Sequence, residues 1–143
     1  MDGNTELLNY IYQNSQMGIK TLNQLIEIVE DNDFKKQLQS QLNEYKSINR
    51  TALQKLNELG HEEKGIGNMA KISAYMSISI KTLMDKSPCH ISQMLIQGST
   101  MGIIDATKNI QKYNDADKQI LQLADKLLKT EQNNIEQLKP FLE

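Results

Sequence analysis

The sequence predicts an all-α fold built from long helices packed as a bundle in one domain spanning residues 1–143, and three observations carry that expectation. Apolar residues recur at alternating steps of three and four over long stretches, the spacing that lines up one face of a helix. Gly and Pro are scarce, 7 and 2 in 143 residues, and most of them cluster where periodic stretches stop. No pair of alternating segments is present that would make partner strands, whereas polar capping residues stand before several periodic runs. A chain of this length buries roughly 70% of its unfolded surface, enough for a self-sufficient core.

The first helical stretch covers about Thr5 to Glu30, with Leu8, Ile11, Ser15, Gly18, Leu22, Leu25 and Val29 on one face. In EDNDF, Asp31 or Asp33 offers an N-cap for a second helix that runs to Gly60, a C-cap. Its inner face is Phe34, Leu38, Gln41, Tyr45, Ile48, Ala52, Leu56 and Leu59. The short connection makes the two an antiparallel pair. HEEKGIG follows; it has no preceding strand and two acidic residues that repel anions, so it reads as a linker and not a phosphate loop.

A third, shorter stretch is expected at about Asn68 to Asp85, where Met69, Ile72, Met76, Ile80 and Leu83 follow helical spacing. MSISI within it also alternates with period two, but a lone strand has nothing to pair with, so helix is preferred. Ser87 then caps a fourth helix with Pro88 at its first position, running to about Tyr113. Asp115 is expected to cap the fifth, which carries Ile120, Ala124, Leu127, Glu131, Asn134, Leu138 and Phe141 inward and ends near Pro140.

Two features sit awkwardly in this scheme. QGSTMGIIDA, residues 97–106, places poor helix formers mid-helix, each Gly costing about 1 kcal/mol relative to Ala. Ile91, Leu95, Gly98, Gly102 and Asp105 fall on one stripe, so the glycines face neighbours. Ser15 and Gly18 make the same concession in the first helix, and the two helices are expected to approach each other there. Asp105 is expected at the bundle boundary near Lys108 or Lys112, since an ionised carboxylate in a core needs a partner. The second feature is Glu131 with Asn134, one turn apart within an apolar seam. They read either as a hydrogen-bonded core cluster with Gln41 and Tyr45 that fixes helix register, or as the remnant of a metal site.

With Glu131-x-x-Asn134 on the last helix and Glu44-x-x-Ser47 on the second, the chain resembles the ferritin-like four-helix bundles. The likeness is to small bacterial members of unknown function with a short extra helix in the crossover connection. SQMGIKTLNQLIE resembles the first helix, NMAKISAYMSISIK the crossover and QGSTMGIIDA the third bundle helix. The resemblance implies that the first, second, fourth and fifth stretches form the bundle, and that residues 60–87 bring the fourth stretch back parallel to the second. It puts family metal-ligand positions at Asn14, Glu44, Ser47, Gln97, Glu131 and Asn134. Carboxylate-bridged di-metal bundles use a Glu-x-x-His pair on each of two helices, and here His is missing both times. Amides and a hydroxyl neither neutralise two metal ions nor complete their shells, which argues against iron chemistry. A weak divalent cation between Glu44 and Glu131 is the remaining cofactor expectation; otherwise none is implied.

Composition limits the partners. The 16 basic and 18 acidic residues give a net charge of -2, so no long-range attraction draws nucleic acid or anionic lipid. No run approaches a membrane span and MDGNTELLNY has no signal-type apolar core, so a soluble, cytoplasmic protein is expected. The single Cys89 forms no intramolecular disulfide; at a helix start beside His90 and near Lys86 it is a redox-thiol candidate or an incidental capping-turn residue. Five of the seven methionines, Met69, Met76, Met84, Met94 and Met101, mark a soft apolar surface for a homodimer or protein partner, with core filling as the alternative. The functional expectation is a non-catalytic bundle acting by self-association or partner binding, with a stress- or spore-associated role by fold analogy alone. The alternative is a metal-binding or redox enzyme with a reduced carboxylate set.

Overall fold

A computed structural model of the chain describes residues 3–60 and 83–143. They form four long helices: α1 Gly3–Ile28, α2 Asn32–Glu58, α3 Pro88–Lys112 and α4 Lys118–Leu138, with a single 3-10 turn Lys139–Phe141 at the end. There is no strand among the described residues. The expected third helical stretch lies mostly outside them, and its last three positions, 83–85, are not helical.

Local chemistry sets the helix ends. Asp31 is extended at φ -66°, ψ 122°, and its carboxylate accepts from the Phe34 N–H at 2.8 Å, satisfying one of the first-turn donors of α2. Asp31→Ala is therefore expected to lower stability by ~1 kcal/mol in chemical denaturation, while Asp33→Ala changes it little, since Asp33 lies within the helix. Past α2, Gly60 takes φ +75°, a left-handed conformation that side chains resist, and its N–H reaches the Asn57 carbonyl at 3.0 Å. Ser87 Oγ accepts from the His90 N–H at 3.2 Å, with Pro88 at the start of α3. The expected cap of the last helix was misplaced by two residues. Asp115 sits inside the tight turn closed by Ala116 N–H on the Tyr113 carbonyl, and Asp117 takes the cap position. The Asp117 N–H is held from outside, by Asn4 Oδ1 at 2.7 Å.

Cross-helix contacts fix the directions. Asn49 of α2 donates to Ser15 Oγ and the Tyr12 carbonyl of α1, both at 3.0 Å, and Tyr45 lies against Gly18. Rising numbers on one helix meet falling numbers on the other, so the pair is antiparallel. The same holds for α2 and α4, where Lys55 meets Gln119, Tyr45 meets Glu131 and Phe34 meets Phe141. It holds for α3 and α4 through Gly102 with Glu131 and Cys89 with Leu142. Hence α2 runs parallel to α3, and α1 parallel to α4. Gly60 and Leu83 then stand at opposite ends of the bundle.

One apolar core runs through all four helices. Every residue placed on the inner face of the first helix is buried, and so is every one on the second except Leu59, 41% exposed where α2 ends. On the last helix Ile120, Ala124, Leu127, Glu131, Asn134 and Leu138 are buried as expected, and Phe141 is half-buried against Phe34 at 5.0 Å between ring centroids. The expectation that the first helix and the glycine-bearing helix pack through their small residues is overturned. α1 packs chiefly on α2, and α3 chiefly on α4. Gly18 and Gly102 each make room for a large polar side chain of the hairpin partner, Tyr45 and Glu131, not for a backbone.

Candidate functional site

Halfway along the bundle the apolar interior is interrupted by a polar layer. Glu131 on α4 is 3% exposed, and its Oε1 accepts a hydrogen bond from the Tyr45 hydroxyl of α2. Asn134, one turn further on α4, donates through Nδ2 to the same hydroxyl oxygen at 3.2 Å. The Ser99 side chain of α3 hydrogen-bonds within this pair. Three helices thus converge on one carboxyl group, and α1 closes the layer with Gly18 against the Tyr45 ring.

The glycines are what admit these side chains. A Cβ at Gly102 would lie 2.6 Å from Glu131 Oε2, and one at Gly18 would lie 2.9 Å from two ring carbons of Tyr45. Both distances are far inside van der Waals contact. The helix-breaking residues that stood out in the sequence are therefore the complements of Glu131 and Tyr45.

Burial dominates the electrostatics. It raises the Glu131 carboxyl from its ordinary 4.5 to about 7, while hydrogen bonds from Tyr45 and Ser99 pull the other way. Burial also pushes the Tyr45 hydroxyl well above its usual value, and the nearby Glu131 charge adds to this. Tyr10 of α1 is raised for the same reason, with further contributions from Asp105 and Glu131. Its hydroxyl accepts from Asn14 Nδ2 at 3.3 Å. Asp105 is half-buried near this group; burial raises its carboxyl and Lys108 opposes the rise, which places it at the boundary as expected.

Of the expected core cluster, Tyr45, Glu131 and Asn134 come together, but Gln41 does not join them. It is buried, and its Nε2 has no hydrogen-bond partner among the described residues. Ser99 was missed: it stands one position off the stripe that contains Gly98 and Gly102, and only its neighbours gave it away. The pairing of Glu44 with Glu131 around a cation is not supported. Glu44 is exposed on the outer side of α2, facing a groove lined by Asp125, Lys126 and Lys129 of α4. One residue of helix is a rotation of about 100°, so when Tyr45 points inward Glu44 must point away.

The other family ligand positions scatter similarly, with Gln97 exposed and Asn14 and Ser47 half-buried. Among the described residues no group of three His, Cys, Asp or Glu side chains is placed to hold a metal ion. Cys89 is half-buried and its Sγ donates to the Leu142 carbonyl at 3.3 Å, tying the start of α3 to the chain after α4. Met84 is 96% exposed, Met94 and Met101 are half-buried, and Met69 and Met76 lie outside the described residues. No described helix is long and apolar enough to cross a membrane. Neither family models, nor curated proteins, nor solved structures yield a match to this chain.

Proposed function

We propose that this chain is a non-catalytic helical bundle of ferritin-like architecture that works by self-association, with a protein partner as the other occupant of the same surface. The architecture is supported by α2 running parallel to α3 between two antiparallel hairpins, whose covalent link joins opposite ends of the bundle. The non-catalytic reading rests on one observation. Where such a bundle would gather metal ligands, the one buried carboxylate among the described residues, Glu131, is committed to Tyr45 and Ser99, and Glu44 is in solvent. A single carboxylate with hydroxyl and amide neighbours is a poor donor set for a transition-metal pair. The surface is supported by Met84, a large apolar side chain almost fully in water, whereas the other exposed large hydrophobics among the described residues are about 41–42% accessible.

Two measurements test the reading. Protein purified without chelator is expected to carry no stoichiometric iron or manganese, and light scattering is expected to give a dimer. Met84→Glu is expected to weaken that dimer about tenfold or more, since it places an unpaired charge in the contact. Stoichiometric metal that is lost in Glu131→Ala would replace this reading with the metal-binding alternative. A monomer at all concentrations would end the self-association half of it.

A further inference from the structure

The polar layer holds a titratable group with nowhere to put its charge. Glu131 Oε1 accepts from the Tyr45 hydroxyl, the Ser99 side chain hydrogen-bonds the same carboxyl group, and Oε2 lies against the Gly102 backbone, where even a methyl group would not fit. The groups facing it are Tyr10 from α1, Tyr45 from α2 and Ser99 from α3, with Asn134 beside it on α4; none of them is a cation. Asp105, the nearest other acid on α3, has Lys108 as its own counter-charge. Among the described residues no lysine, arginine or histidine acts on Glu131. A carboxylate so enclosed needs water, and water can reach Oε2 only if α3 moves away from α4 at Gly102.

We propose that Glu131 is a proton-controlled latch: protonated, it lets α2 and α3 close on α4, and ionised, it draws water into the layer and loosens α3 around Gly102. The direction follows from linkage. In the closed bundle the carboxyl keeps its proton up to about 7, and in a hydrated, open layer it returns toward 4.5. The closed state therefore has its full advantage below about 4.5 and loses it as the pH rises through 7. Over that window the open layer releases a proton that the closed one retains. Between pH 6 and pH 8 the opening equilibrium should rise on the order of tenfold.

Hydrogen exchange followed by mass spectrometry on peptides covering 98–106 and 127–135 tests this, after correction for the intrinsic base-catalysed rate. The wild type should show the tenfold rise in opening, and Glu131→Gln, which mimics the protonated acid, should be flat. Equal rises in both, or a flat wild type, would overturn the proposal. Should Glu131→Gln fail to fold, Ser99→Ala takes its place. Removing a donor that favours the carboxylate must move the opening midpoint, and the loss of the protonated carboxyl band in the infrared, to higher pH. An unmoved midpoint would equally sink the latch. Neither metal content nor dimerisation enters these readouts, so they stand or fall apart from the function proposed above.

Discussion

Phe34→Ala is expected to lower the free energy of unfolding by about 3–5 kcal/mol in urea, with the midpoint shifted and the slope unchanged. Phe34 is fully buried at the first turn of α2, and its ring meets Phe141 at 5.0 Å with the planes tilted by 55°. Truncation removes a large transfer contribution and leaves a cavity that two helix ends, held by Asp31 and by the 3-10 turn, cannot collapse to fill. Phe141→Ala should cost less, because that ring is only half-buried. The aromatic contact adds about 0.5–1.5 kcal/mol beyond area, and a double-mutant cycle between the two should recover a coupling of that size. Additive losses would show that the C-terminal turn is not held to α2 by this contact.

Gly18→Leu and Tyr45→Ala should each be severe alone and much milder together. The first forces a side chain into the space of a ring that lies 2.9 Å from where a Cβ would begin, an overpacking that costs about 3 kcal/mol or more. The second empties that space at a cost of about 3–5 kcal/mol and leaves Glu131 and Asn134 without the hydroxyl they share. In the double variant the leucine occupies the volume the tyrosine vacated, so the loss should fall well short of the sum. What remains combines the lost hydrogen bonds with the imperfect fit of leucine in the ring's place, and Tyr45→Phe measures the share of the hydroxyl. Strict additivity in thermal or urea unfolding would refute the claim that glycine and tyrosine are complements.

Much of the architecture was legible because its signals are local. Asp31, Ser87 with Pro88, and Gly60 announce helix ends through capping chemistry that depends on a few neighbouring residues. The inner faces follow from periodicity, which fails mainly where a helix runs out, as at Leu59 and the half-buried Phe141. Asp115 misled because two aspartates two positions apart both suit a cap, and the choice is made by Asn4 from a distant helix. The site was half legible for the same reason. Spacing alone puts Tyr45, Glu131 and Asn134 in an apolar seam, and the mid-helix glycines reveal that something presses on them. Spacing does not say what presses, so Gly18 and Gly102 were assigned to each other instead of to Tyr45 and Glu131. Glu44 was drawn inward by a motif whose register is one residue out of phase with this helix.

Because α1 and α4 point the same way, residue 3 lies beside the 113–117 turn while residue 142 lies beside Cys89, a helix length of roughly 40 Å away. Tension applied between those two points is directed along the bundle's long axis. It strains the seams in shear, all rungs together, where a hairpin gripped at one end would unzip rung by rung.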